Sequence, residues 1–269
     1  RNLPSSIFIL PVIAELGLPI VSHGVFSVGP KYGCTHHLTL KELGYNSNND
    51  HQEIVERLEN KDIGWAYADQ SMFNPKLHNL MSLRKQIIKR PVITTVEVLV
   101  KPVSSKNDMF FTGFVHKPYP PIYLELSRNA QFNSATVIRG TEGGIIPSLR
   151  QTGKVHFYHS AGEQDDYYDV TPEDLGIVQS SRAVDIPEEI TRKNTKDKIE
   201  SKVDAVDIAK ETIKSGTSAL SGNDGPMLSC IQLGAAIILQ RATGNDLGNC
   251  SKEVLRVLKS GAALKRMKR

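Results

Sequence analysis

Cysteine is scarce in this chain of 269 residues. Cys34, Cys230 and Cys250 are an odd number without paired spacing. That excludes a secreted disulfide framework and points to a reducing compartment, the cytoplasm. Long apolar runs are also lacking. "IFILPVIAELGLPIV" is broken by Pro11 and Glu15, and "LGAAIILQ" is far short of the roughly 20 residues a spanning helix needs, so no membrane partner is expected. Nor is there a large excess of one charge. The 33 basic and 29 acidic residues leave a net +4, too small to dictate a nucleic-acid partner, so the distribution of charge has to decide. Internal repeats and extended low-complexity segments are absent. The first residue is Arg1 rather than Met, so the sequence gives no evidence about a leader.

What is present is ordinary for a globular protein: 39% apolar and 23% charged residues. A chain of this size can bury on the order of 70% of its unfolded surface, and we read residues 1–269 as one α/β domain whose C-terminal part, from about 203, is helical. Helix and strand patterns alternate. Ser5 to Leu16 is helix-like and precedes a strand at "LPIVSH". "NNDHQEIVERLEN" has the Asn/Asp start of a helix and "IGWAYAD" reads as a strand. "NPKLHNLMSLRKQIIK" reads as one helix with Pro75 in its first turn, and the β-branched "PVITTVEVLVKPV" as a strand. The helix "PPIYLELSRNA", the strand "SATVIRG" and two short strands at "GKVHFYHS" and "DDYYDV" follow. The charged stretch "PEEITRKNTKDKIESK" reads as a loop or exposed link, and the remainder as helices. This alternation predicts an α/β fold with a mainly parallel sheet flanked by helices.

Three features invite a functional reading. The run "ATVIRGTEGGIIPS" ends a strand in a glycine turn, where backbone and ligand can approach closely, and the N–H groups around Gly140, Thr141, Glu142 and Gly143 could hold a phosphate. The last stretch carries Lys259, Lys265, Arg266, Lys268 and Arg269. These suit either a solvated helix end or a phosphate-contacting patch, and composition by itself favours the first. His36-His37 and His156 with His159 suggest metal ligands by type. However, neighbouring histidines on one element point apart and no acid or cysteine completes a ligand set, so no metal site is assigned.

"YYDVTPEDLGI" resembles the Tyr-x-Leu-x-Pro-Glu-Asp-Phe-Gly signature of anthranilate phosphoribosyltransferases. "SGNDGPMLSCIQLGAAIILQ" resembles the turn and Leu-Asn-Ala-Ala helix that follow it in that family, and "SGAALKRM" its closing helix. Upstream, "SHG" is similar to the family's Lys-His-Gly loop. "FNPKLHNLMSLRKQI" resembles the helix carrying a substrate arginine, and "TGFVH" and "VIRGTEGG" fall in the family's order. The resemblance covers nearly the whole chain and implies the nucleoside phosphorylase/phosphoribosyltransferase fold. The family's N-terminal helices, and a first strand with a glycine-rich phosphate loop, would lie upstream of Arg1.

By that resemblance His23, Gly24 and Arg84 match binding positions, whereas the metal chemistry is depleted. The family's Asp-Glu pair, which holds Mg²⁺, falls at Ile145 and Ile146, and an isoleucine offers a hard cation no oxygen. Ser22 replaces the family's Lys, Val25 its Asn, and "GCTHHL" its Gly-Ser-Ala-Asp. "HGVFSVGP" and "RGTEGG" better match a divergent branch that lacks the metal acids, some members of which bind nucleic acid. The resemblance therefore implies a homodimeric protein without a cofactor. It would bind nucleic acid or a phosphorylated small molecule through His23, Gly24, Arg84, the Gly140–Gly143 loop and the basic C-terminus, without tryptophan-pathway activity. The alternative is a Mg²⁺-dependent pentosyltransferase acting from phosphoribosyl pyrophosphate on a substrate other than anthranilate.

Overall fold

A computed structural model describes residues 2–27, 33–87, 91–192 and 204–269. Gly29 and Pro30 of the "HGVFSVGP" loop, Ile88, and residues 193–203 of the charged link lie outside the described residues.

A short 3-10 turn, Ser6–Phe8, runs into helix α1 (Ile9–Glu15), buried along nearly its whole length. Strand β1 (Ile20–Gly24) follows, then α2 (His36–Glu42) and α3 (His51–Glu59). Both α2 and α3 start where a short polar side chain can accept from an otherwise unpaired N–H. Thr35 caps Leu38, and Asp50 and Glu53 form a reciprocal capping box. Strand β2 (Trp65–Asp69) is wholly buried and pairs in parallel with β1, Ile20 beside Trp65 and Gly24 beside Asp69.

The segment after β2 departs from the expected single helix and strand. Helices α4 (Gln70–Phe73), α5 (Pro75–His78) and α6 (Met81–Gln86) are separate turns. No residue of α5 is buried, so no core-facing stripe sustains a longer helix there. The β-branched run is helical too: α7 (Ile93–Val96) continues into a 3-10 turn, Glu97–Leu99. Pro91 starts this turn by accepting from both the Thr94 N–H and its hydroxyl, and Val92 stands 78% exposed. Strand preference expresses packing on a sheet, and this segment has no sheet to pack on.

Strand β3 (Met109–Gly113), helix α8 (Tyr119–Asn129) and strand β4 (Ser134–Ile138) form a parallel unit. Strands β5 (Gly153–Tyr158) and β6 (Asp166–Val170) then add antiparallel. The α/β class holds, but among the described strands parallel pairing stops at β4. No crossover helix joins β4 to β5 or β5 to β6, so the chain returns in the opposite direction.

After α9 (Glu188–Arg192), the described residues from 204 onward are helical, as expected: α10 (Ala205–Leu220), α11 (Pro226–Thr243), α12 (Leu247–Ser260) and α13 (Ala262–Met267). Helix α11 is buried from Met227 to Leu239 without a solvent face and forms the axis of the main core. Helices can approach it closely because glycine faces large side chains. A Cβ on Gly216 of α10 would lie 2.0 Å from the Phe8 ring, and one on Gly234 of α11 would lie 2.6 Å from Ile9 Cδ1 and 3.0 Å from Ile146 Cγ1. Gly216→Ala is expected to lower stability by about 2 kcal/mol through overpacking against Phe8. Urea unfolding measures this, and the double variant that also shortens Phe8 to Leu should recover part of the loss.

Candidate functional site

The parallel strands β1 and β2 end side by side at Gly24 and Asp69, the end of an open α/β sheet where ligands enter. The structure gathers polar groups there. His23 Nε2 donates to the Val98 carbonyl at 3.2 Å, and its ring meets Phe73 edge to face. Arg84, 8% exposed, sends Nη1 and Nη2 to the two carboxylate oxygens of Glu97, at 2.5 and 3.0 Å. Val98 and Glu97 are neighbours on the 3-10 turn that follows α7, so one short segment clamps both predicted residues. Arg84 and Glu97 form a fork-to-fork pair of the strong, directional kind.

Below Gly24 lie groups that, His37 apart, no sequence motif singles out. Tyr67 Oη would be 3.3 Å from a Cβ at Gly24, and it is buried without a hydrogen-bond partner. His37 Nδ1 is 3.4 Å from Asp69 Oδ2, and its Nε2 is 3.2 Å from Ser47 Oγ. Gln70 Oε1 and Arg84 Nε are likewise buried and unpaired. Buried polar atoms without partners are uncommon and call for water or a ligand group. The available signal for Tyr67 and Asp69 was their polar character inside an otherwise apolar strand. For Glu97 it was its place as the lone acid of "PVITTVEVLVKPV".

The glycine loop is built differently. Thr141 donates from its N–H (2.9 Å) and its hydroxyl (3.3 Å) to the Ile146 carbonyl, Gly144 N–H donates to the Thr141 carbonyl, and Gly140 N–H donates to the Ile138 carbonyl. Those three N–H groups are spent inside the loop rather than offered to a phosphate. Thr141–Gly143 makes a 3-10 turn in which Glu142 takes φ +52°, the left-handed region that non-glycine residues seldom occupy. A Cβ at Gly140 would fall 1.6 Å from the Gly144 carbonyl oxygen, so glycine is obligatory there. Ile146 is 5% exposed and belongs to the main core, with Ile145 packed against it. Ile145 and Ile146, the positions that the resemblance matches to the family's Mg²⁺ acids, are apolar and do not fit the ion. Among the described residues no three His, Cys, Asp or Glu side chains are grouped to hold a metal. His36 instead bridges Ser6 (2.8 Å) and Ser22 (2.9 Å), and His159 meets Arg241 at 3.2 Å.

Much of the basic C-terminus is engaged within the chain. Lys259 binds Asp224 (2.7 Å) and the Gly222 carbonyl. Arg266 binds Glu15 (2.6 Å) and the carbonyls of Lys61 and Ile63. Arg269 binds Asp62 through its side chain at 3.1 Å and its carbonyl at 3.0 Å. Lys265 and Lys268 are exposed.

Burial lowers the pKa of His23 on β1 and of His36 and His37 on α2. His36 is brought to about 4 by desolvation first and by the neighbouring His23 second. His23 and His37 are lowered by desolvation, against the opposing pulls of the Val98 hydrogen bond and Glu97, and of Asp69. These groups fold neutral, whereas the unfolded chain takes up protons near pH 6.5. Their contribution is therefore complete above that value and is lost as pH falls toward 4. For His36 the expected loss is at most about 3 kcal/mol. Urea titrations at pH 7 and 4.5 should show it, and His36→Gln should flatten the difference; an equal pH dependence in both proteins would refute the assignment.

A protein of Aquifex aeolicus described as uncharacterized is 30% identical over 146 residues, 53% of this chain and 41% of its own length. The anthranilate phosphoribosyltransferase of the same organism is 23% identical over 254 residues, 94% of this chain and 67% of the enzyme. The first curated relatives are thus spanned over about half their length or less. The yeast anthranilate phosphoribosyltransferase in complex with PRPP and Mg shares the fold, with a TM-score of 0.73 at 14% identity, covering 99% of this chain and 68% of that one. The glycosyl transferase family, a/b domain, matches residues 5–264, and the chain belongs to that family.

Proposed function

We propose that this anthranilate phosphoribosyltransferase-like chain binds a phosphate-rich ligand, nucleic acid foremost, without performing the Mg²⁺-dependent transfer to anthranilate. The observation that carries this reading is Ile146, seated in the core against Gly234 where the enzymes are aligned with a metal acid. The pairing of Arg84 with Glu97 supports it, because the guanidinium aligned with a substrate contact already has its counter-charge. The ligand would meet His23 and Gly24, and the Gly140–Gly143 loop by groups other than the engaged Gly140 and Thr141 N–H, with the exposed Lys265 and Lys268 as cations. The same reading includes a homodimer, which the exposed apolar side chains Met72, Leu80, Leu83 and Val92 favour.

Mobility shifts with single- and double-stranded DNA and RNA should show binding whose log affinity falls linearly with log salt. Lys265→Glu with Lys268→Glu should flatten that slope by about 0.9 for each duplex phosphate that the lysines no longer neutralise. No retardation at low salt would sink the nucleic-acid reading. Calorimetry separates it from the pentosyltransferase alternative: Mg²⁺-dependent uptake of phosphoribosyl pyrophosphate by the unaltered protein would establish the latter. Restoring the acids as Ile145→Asp with Ile146→Glu is expected to cost roughly 3 kcal/mol of stability by burying an unpaired carboxylate, and to create no Mg²⁺ site. Unchanged urea stability with a new Mg²⁺ isotherm would show instead that the loop can turn its side chains outward.

A further inference from the structure

At the opposite end of β2 from His23, two adjoining cavities of about 440 and 280 Å³ share Asn49 and Arg57 in their walls. Arg57, on α3, lies beside a stacked pair of aromatic rings, its guanidinium carbon 5.0 Å from the Tyr45 ring and 5.2 Å from Trp65. Its Nη1 donates to the Arg269 backbone oxygen at 3.3 Å, while Nε and Nη2 are buried without a hydrogen-bond acceptor. A guanidinium in this condition is costly unless an anion or another acceptor reaches it. The larger cavity supplies the rest of an anion site. Lys268 and Arg269 line it beside Arg57, no acidic side chain does, and Leu264 and Met267 give it an apolar wall. The acids Glu53 and Glu56 line only the smaller cavity. Of the three cations, Arg269 has a counter-ion in Asp62 at 3.1 Å and Lys268 is exposed.

We infer that the larger cavity binds a small anion, a phosphate monoester or a carboxylate with an apolar body, with Arg57 as its principal partner. The site is separate from the strand ends at Gly24 and Asp69 and does not depend on the function proposed for them. Trp65 is the chain's single tryptophan and lies against Arg57, so its fluorescence reports on the site directly. Titrating the full chain with phenyl phosphate and with benzoate should give a saturable fluorescence change with at least one of them. Response to the first alone identifies a phosphate site, and response to the second alone a carboxylate site. Arg57→Gln should weaken binding at least tenfold, Arg57→Lys less, and Lys268→Glu several-fold. Circular dichroism checks folding, and if Arg57→Gln unfolds, Arg57→Lys and Lys268→Glu decide. The inference is overturned if neither anion produces a saturable change in the unaltered protein, or if the folded variants bind as tightly as it does.

Discussion

The contact on which most of this structure depends is the one at Gly234, where a fully buried helix gives up its side chain so that Ile9 and Ile146 can meet it. Through Ile9 it fixes α1, through α11 it fixes the C-terminal helices, and through Ile146 it fixes the loop after β4. The Ile146 backbone carries the constraint onward: its carbonyl takes two hydrogen bonds from Thr141 and closes the glycine turn. One residue therefore anchors the core and shapes the loop. A carboxylate cannot take that place without leaving a charge in close-packed hydrocarbon. A hydrophobic residue at position 146 is for this reason a requirement of the packing.

The ends of β1 and β2 at Gly24 and Asp69 have the opposite character, with polar groups held by polar groups. Glu97 neutralises Arg84 and Val98 holds His23, so these two groups arrive already partnered. Buried without partners beside them are Tyr67 Oη, Gln70 Oε1, Arg84 Nε and His37 Nδ1. A highly charged diphosphate would have to compete with Glu97 for Arg84. A ligand with hydrogen-bonding groups of both kinds would partner those buried atoms without breaking the pair.

The sequence was legible where local and tertiary signals agree. The capping box at Asp50 and Glu53, the proline start of α8 and the apolar length of α11 each placed an element, and the strand ending at Gly24 placed His23. It misled where β-branched composition stood in for a sheet partner, as at Ile93–Val96, and that same segment hides Glu97. Its pairing with Arg84 joins residues thirteen apart through a turn whose conformation no local pattern announces. The glycine loop was located correctly, but the direction of its N–H groups follows from the Ile146 carbonyl and from packing on α11, which are tertiary facts.

Charge counting shows the same limit. Lys259, Arg266 and Arg269 look free in one dimension, yet Arg266 ties α13 to Glu15 on α1 and to the backbone before β2, while its own carbonyl accepts from Trp65 Nε1 at 3.3 Å. A cation spent on closing the fold releases fewer counterions on meeting a polyanion, so the effective patch is smaller than its composition. Strand β2 then divides two unsatisfied sites, the Tyr67 hydroxyl toward one end and the Arg57 guanidinium beside Trp65 at the other. Each end of one buried strand thus presents unpaired polar atoms, a hydroxyl at one and a guanidinium at the other.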